Sequence, residues 1–402
     1  MTPSDGADYR HNGSQTTVDE PPVAMLSGVR VVEVASYVSG PLATQVLSDL
    51  GAEVVKVEPP AGDPMRNFGL RVDGLSAMWV NVNRGKKGVV VNLKHPDGMG
   101  QFRQLLATAD IFVQNWRPGV AESLGLGDGD LAELNPRLIR VSITGFGATG
   151  PSKSRPVFDV LLQAASGLAA SEGADGQPSS VRSLIADKTT ALFAANACLA
   201  ALARRNQTGL GCRIEMAMLD VLAYFDFPDL GQDRTFLGEG LQQDLRRGRS
   251  PLLRTSDGYV AVSPVSGSQI GAAVTAVGHP EWKNDLKKID NPTELTNILY
   301  DRLEAETQHR PTAEWVAIFE AHDVPAAPVM TIDQHLVDEQ VLVNQLYSEG
   351  SSPVGPVRQV RYPIRIDGHL LQPPGPAPDL GEHTDEVFAG SWWAPSFVGV
   401  TG

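Results

Sequence analysis

The chain has 402 residues, of which 42% are hydrophobic and 20% charged, and it carries a formal net charge of −14. This length favours two domains, and the composition supports a substantial core, which excludes disorder as the dominant state. The negative field repels nucleic acid and acidic membranes, so any anionic ligand must be met by local basic groups or helix N-termini.

Residues 1–22 are polar, lack the apolar core of a signal peptide and read as a flexible leader. From Gly28 to Glu58 the pattern is strand, helix, strand. Val29, Val31, Val32 and Val34 form a β-branched run; Leu42, Val46, Leu47 and Leu50 repeat at helical spacing, and Gly51 closes the helix. Ala52 to Glu58 is the next strand. Such a βαβ unit implies a parallel pair with a right-handed crossover. Further strands are expected at 88–93, 111–114 and 138–143, with a helix over 98–109 and a glycine-rich turn over 144–151. Val181 to Ala186 reads as a strand, and 188–205 as an alanine-rich helix ending near Gly209.

This alternation predicts an open, Rossmann-like α/β sheet in a large domain over 23–225. Residues 228–254 are polar with little periodic signal. A strand at 258–262 and helical patterns to about 322 predict a smaller α/β domain over 226–330. The segment 331–402 is rich in Pro and Gly and reads as extended chain and short strands returning to the large domain. No internal repeat is visible, and no apolar stretch is long enough to span a bilayer.

Cys198 and Cys212 form no CxxC or zinc-like pattern. Neither a metal site nor a disulfide framework is expected; both read as buried thiols in a reducing, cytoplasmic setting. Dinucleotide binding is disfavoured as well. The first strand-to-helix junction reads Ser36-Tyr37-Val38-Ser39-Gly40-Pro41, with one glycine where GxGxxG needs three.

An ordered set of segments carries a family resemblance. They are LSGVRVVEVASYVSGPLATQVLSDLGAEVVKVEPPAGDPMR, NRGKKGVVVNLKHPDG, FVQNWRPGVAESLGLG, LNPRLIRVSITGFGATGP, FDVLLQAASG, LIADKTTALFAANACLAALARRNQTGLGCRIEMAMLD and LGEHTDEV. Together they span about residues 26 to 390, and the chain resembles the class III (CaiB/BaiF) CoA-transferases. The resemblance implies the CaiB/BaiF fold, an interlocked homodimer, and an acyl-CoA and a small carboxylic acid as substrates. It implies no cofactor beyond coenzyme A, and no metal.

Asp187 sits at the expected strand-to-helix junction. A helix N-cap accounts for it on its own, because Asp is a preferred cap. The resemblance adds a second role, the family nucleophile. The two roles are compatible, because backbone N–H groups and the helix dipole favour the carboxylate form that attacks a thioester. The racemase branch of the superfamily instead abstracts an α-proton with a His/Asp pair. Its histidine would stand at Phe158, which cannot accept a proton, so transfer is expected rather than racemisation. A non-catalytic acyl-CoA-binding homologue is the remaining alternative. Asp159 reads as a structural residue at a helix start.

Basic residues stand out in an acidic chain. Lys56, Arg66 and Arg71 flank the PPAGD turn, Arg84, Lys86, Lys87 and Lys94 bracket a strand, and Arg117 follows Asn115-Trp116. A solvated charged face accounts for each singly. The resemblance implies CoA contacts at Tyr37, Val38, Ser39, Lys56, Arg66, Arg84, Lys86, Val91, Asn115, Trp116 and Arg117. Val38 replaces the glutamine of formyl-CoA transferases, their polyglycine lid has no counterpart near 240–258, and Ser123 stands where an arginine is common. Glu382-His383-Thr384-Asp385 reads as a cap of the last helix, His322-Asp323 as a loop, and Asp220 as a buried, hydrogen-bonded carboxylate.

Overall fold

The computed structural model describes residues 24–173, 177–238 and 248–390. The leader expected over 1–22 lies outside the described residues, as does the part of the 240–258 segment that precedes residue 248.

The βαβ pattern at the start builds the sheet on which everything else is placed. Strand β1 (Arg30–Glu33) leads into helix α1 (Ser39–Asp49) and strand β2 (Glu53–Glu58), and the two strands pair in parallel with Val32 opposite Val55. Helix α2 (Ala77–Asn83), strand β3 (Lys87–Val90), helix α3 (Pro96–Thr108) and strand β4 (Ile111–Gln114) follow. Next come helix α4 (Asp128–Leu134), strand β5 (Ile139–Thr144), helices α5 (Asp159–Ser166) and α6 (Ile185–Thr208), and strand β6 (Arg213–Ala217). All six strands are parallel, in the spatial order 3-2-1-4-5-6. Every residue of β1 and β4 is buried, as expected where helices cover both faces of a parallel sheet. Val32, Val55, Phe102, Leu106, Phe112 and Leu138 form the centre of the core. In this order the chain reverses its direction of travel between β1 and β4. The carboxyl ends of those two strands frame the crevice where doubly wound sheets bind ligands.

The described residues fall into two compact units. The first contains the sheet and takes the chain up to Ala165, then Val181–Leu222, then everything from Tyr347 onward. The second takes Ser166–Ser180 and Ala223–Leu346. It has its own antiparallel sheet, β7 (Leu252–Arg254), β8 (Tyr259–Val262) and β9 (Ala326–Pro328), with β8 in the middle. Leu253, Val260, Val262, Leu303 and Phe319 form its centre.

Two local expectations are corrected. Residues 181–186 form no strand. The Gln163 side chain takes the place of a partner strand: its Oε1 accepts from Val181 N at 2.9 Å and its Nε2 donates to Val181 O at 3.2 Å. Beyond 331 the chain is not wholly extended. Two short helices, Ile332–Val337 and Glu339–Asn344, begin at Thr331 and Asp338, each of which caps its helix with a side-chain oxygen. A hairpin, Tyr347–Ser352 with Gly355–Val360, follows.

The C-terminal segment closes the free edge of β3. Gly88 N donates to His383 Nδ1 at 3.2 Å and His383 N donates back to Gly88 O at 2.9 Å, while Val90 N donates to Thr384 Oγ1 at 3.1 Å. The EHTD sequence thus begins the last helix, Thr384–Phe388, and also satisfies an exposed strand edge. Burial and the nearby Lys87 ammonium keep the His383 pKa below its ordinary value, which suits a ring nitrogen that accepts.

Gly40 is required by packing. A Cβ there would lie 2.2 Å from the Ala35 Cβ, because the chain leaving β1 folds back against the first turn of α1. Gly40→Ala is expected to destabilise the protein by about 1–3 kcal/mol through overpacking, measured as a lower urea midpoint with an unchanged slope.

Candidate active site

Asp187 is the third residue of α6, and Leu184 is the N-cap, so the expected cap position is shifted by three. The cap function belongs to another carboxylate. Asp159 Oδ2 accepts the Asp187 backbone N–H at 3.0 Å, and its Oδ1 accepts from Gln163 Nε2 at 2.5 Å. Asp159 is buried and both of its oxygens are engaged in holding structure, in keeping with the helix-start role expected for it. The Asp187 side chain is therefore free of capping duty. It is half-buried and faces the backbone N–H and the hydroxyl of Ser39, donors that favour its charged form.

Burial and the neighbouring Asp159 charge push the Asp187 carboxyl up from 3.8 to about 6, against the two Ser39 donors. The expectation that its position simply secures the charged form is corrected. At neutral pH the group is ionised but poorly solvated, a combination that favours nucleophilic or basic chemistry.

Ser39 opens α1, and the turn before it is gripped from several sides. Asn115, immediately after β4, clamps the Ser36 peptide: Ser36 N donates to Asn115 Oδ1 at 2.9 Å and Asn115 Nδ2 donates to Ser36 O at 2.7 Å. These bonds bridge the carboxyl ends of β1 and β4. Tyr37 has a φ of 65°, a left-handed conformation that a tyrosine adopts only under restraint. Its N–H donates to Asp63 Oδ1 at 3.2 Å, and its ring packs edge-on against Phe158 with centroids 5.5 Å apart. Val38 is buried as the N-cap of α1, and Ser39 is buried behind it.

Behind this turn lies a charged cluster. Glu33, at the end of β1, is fully buried between Lys56 and Lys86, with both N–O distances 2.8 Å, and accepts from Thr44 Oγ1 at 2.5 Å. Lys56 also bonds Ala35 O and Asp63 Oδ2; Lys86 also bonds Pro41 O and Asn83 Oδ1. Burial opposes the charge on Glu33, but the two ammonium groups outweigh it and hold the carboxyl below its ordinary pKa.

This arrangement reassigns four of the cations expected to meet CoA. Lys56 and Lys86 are 1% and 2% exposed and saturated by internal acceptors. Arg84 pairs with Asp49 at 2.5 Å in a buried position. Arg66 Nε and Nη2 donate to the two oxygens of Glu58, each at 2.7 Å, and its guanidinium lies 3.7 Å from the Trp79 ring centroid. Each serves as a counter-ion inside the fold, because the sheet buries carboxylates that need one. Val91 is likewise a core residue.

Asn115, Trp116 and Arg117 remain at the end of β4. Trp116 is half-buried with its ring 6.2 Å from that of Phe112, and Arg117 is exposed and forms no ion pair among the described residues. Lys94 and Arg71 are exposed, Lys87 pairs with Glu386, and Ser123 donates to Val120 O. Asp220 is exposed on its helix rather than buried, and Cys212 is only partly buried, whereas Cys198 is buried. His322 bonds Ile318 O at a helix end, consistent with a loop role. No group of three or more His, Cys, Asp or Glu poised to hold a metal occurs among the described residues. No helix among them is long and apolar enough to cross a membrane. Sequence reasoning passed over Glu33, Asp63 and Gln163. The signal for Glu33 was present, as a lone acid closing a β-branched run.

The fold and site define a doubly wound α/β protein with a desolvated carboxylate near its topological switch point. A sequence model of CoA-transferase family III matches residues 26–384, and the chain belongs to that family and is an enzyme of that class. It is 33% identical over 379 residues to the succinyl-CoA:glutarate CoA-transferase of Mus musculus, covering 90% of this chain and 85% of that one. It is also 33% identical to the succinate–glutarate CoA-transferase of Agrobacterium fabrum, covering 90% and 95%. A CaiB/BaiF family protein from Brucella suis superposes with a TM-score of 0.78 at 31% identity, covering 91% of this chain and 98% of that chain.

The raised Asp187 pKa gives a stability prediction. Above pH 6 the folded state holds an ionised carboxylate that is better solvated when unfolded, and below pH 4 both states are protonated and the penalty vanishes. Asp187→Asn is expected to stabilise the protein by about 2 kcal/mol at pH 7–8, a gain that fades as pH falls from about 6 to about 4. Urea unfolding across this range checks the sign.

Proposed function

We propose that the enzyme moves CoA from an acyl-CoA thioester to a small carboxylic acid with Asp187 as the nucleophile. The observation that carries this reading is the half-buried, poorly solvated carboxylate at the start of α6. An Asp187 oxygen attacks the thioester carbonyl; the new C–O bond forms, the C–S bond breaks, and CoA leaves as thiolate. That thiolate attacks the aspartyl carbonyl of the mixed anhydride, giving an aspartyl-CoA thioester and the free donor acid. The acceptor carboxylate then attacks the aspartyl thioester, and the released CoA thiolate takes the acceptor's acyl group from the second anhydride, restoring Asp187.

The exposed Arg117 supports a role in meeting CoA phosphate, with Asn115, Trp116 and the Tyr37-Val38-Ser39 turn bordering the thioester. α-Proton abstraction is disfavoured. Phe158 offers no base, and Asp159 uses both oxygens structurally. We also propose the interlocked homodimer that the family resemblance implies. Exposed Leu192 and Leu199 on α6 support an apolar interface, testable by sedimentation.

The test is hydroxylamine trapping with a panel of acyl-CoA thioesters that includes succinyl-CoA. A hydroxamate on the Asp187 peptide is expected. CoA release in a single turnover should rise with pH to a plateau above about 6, where Asp187 is ionised, and Asp187→Ala should lower turnover roughly a thousandfold or more. An unmodified Asp187 peptide across the panel, with CoA shown to bind, removes the covalent route and leaves the binding reading.

A further inference from the structure

The Ala35–Pro41 turn is held at three backbone points by one buried cluster. Lys56 takes Ala35 O, Asp63 takes Tyr37 N, and Lys86 takes Pro41 O at 2.7 Å. Between the last two points lies Ser39, whose N–H and hydroxyl are the donors on Asp187. Pro41 stands two residues from Ser39 in the first turn of α1, and its carbonyl accepts from Thr44 Oγ1 at 3.1 Å as well as from Lys86, so the Lys86 bond ties the helix end that presents Ser39 to the buried cluster.

We infer that Lys86 is a positioning residue for the transfer reaction, holding Pro41 O so that both Ser39 donors stay on Asp187. The inference rests on the reading of Asp187 as nucleophile for its catalytic meaning, but the contact it describes can be read without that chemistry.

The donor count gives the inference its force. Lys86 Nζ has three acceptors, Glu33 Oε2 at 2.8 Å, Pro41 O at 2.7 Å and Asn83 Oδ1 at 2.9 Å, and an ammonium has three N–H bonds to match. A neutral amine has two, so loss of the proton releases one acceptor. Glu33 is charged and retains its bond, which leaves the two neutral acceptors to compete. The charged groups acting on Lys86 are Glu33 on β1, Lys56 on β2, Asp63 beyond β2 and Asp49 on α1. Burial outweighs the attraction of Glu33 and lowers the Lys86 pKa to about 8, so the release falls close to neutral pH.

The experiment reads the Asp187 carboxyl directly, by carbodiimide coupling to glycine ethyl ester followed by peptide mapping across pH 4–9. Coupling requires the protonated acid, so its midpoint reports the acidity of Asp187. Ser39→Ala removes one donor and is expected to raise the midpoint by about one unit. Lys86→Met is expected to raise it at least as far, and the double variant no further than the larger single shift, because both act through Ser39. A structural role for Lys86 alone would lower the melting temperature and leave the midpoint in place; that result, or additive shifts, overturns the inference.

If Lys86→Met does not fold, the wild-type protein decides. Amide exchange over residues 39–44, divided by its intrinsic tenfold rise per pH unit, is expected to increase several-fold between pH 7 and 9 while residues 96–108 stay level. A flat corrected rate overturns the inference. A negative hydroxylamine trap combined with a shifted midpoint would remove the nucleophile reading and leave the positioning role standing.

Discussion

A single carboxylate, Glu33, carries the geometry of the site. It is fully buried at the end of β1 with two ammonium groups on it. Charges in such a place are tolerated only when paired and hydrogen-bonded, and removing one partner typically destabilises a fold by about 3–5 kcal/mol. That strictness is useful here. Each lysine has further acceptors on backbone carbonyls of the following turn, so satisfying Glu33 also fixes Ala35 and Pro41. The left-handed Tyr37 and the close passage of Ala35 over Gly40 persist because the surrounding bonds leave the chain no alternative.

The same low-polarity interior acts in the opposite sense at Asp187. Where Glu33 has two cations, Asp187 faces the Ser39 donors and a second carboxylate. One carboxylate is compensated by counter-charge and the other is not, which leaves Asp187 with a raised pKa. The difference lies in which elements deliver a counter-charge. β2 and the residue before β3 bring lysines to Glu33, while α5 brings Asp159 to α6. Asp159 accepts the backbone N–H of Asp187 in the first turn of α6, and the Asp187 side chain takes no part in that cap.

Much of this was legible in the sequence. The β-branched runs and helical spacing around residues 29–58 and 88–114 placed four of the six strands of the sheet, because local pattern and tertiary burial agree there, whereas Arg213–Ala217 was not anticipated. Asp187 was singled out by the family resemblance, while its setting read as a helix cap; it lies inside the helix, three residues past the cap. What could not be read was which charges face inward. Lys56, Lys86, Arg84 and Arg66 look like a basic patch when counted along the chain. Their carboxylate partners lie 7 to 53 residues away, and the most distant meet them only once the parallel strands and α1 are packed. Val181 misled in a similar way, since a β-like pattern was satisfied by a glutamine side chain rather than a strand.

The bonds between Gly88 and His383 set the order in which the molecule can be completed. They join positions 295 residues apart, and the second compact unit is encoded between them. A ribosome making this chain presents β3 long before it presents the segment that covers its edge. The edge of the large sheet therefore stays open while the whole inserted unit is translated, and the first unit closes only after it. Nascent protein is exposed to wrongful strand pairing over that interval, and a message truncated before codon 383 would yield a sheet with a permanent open side.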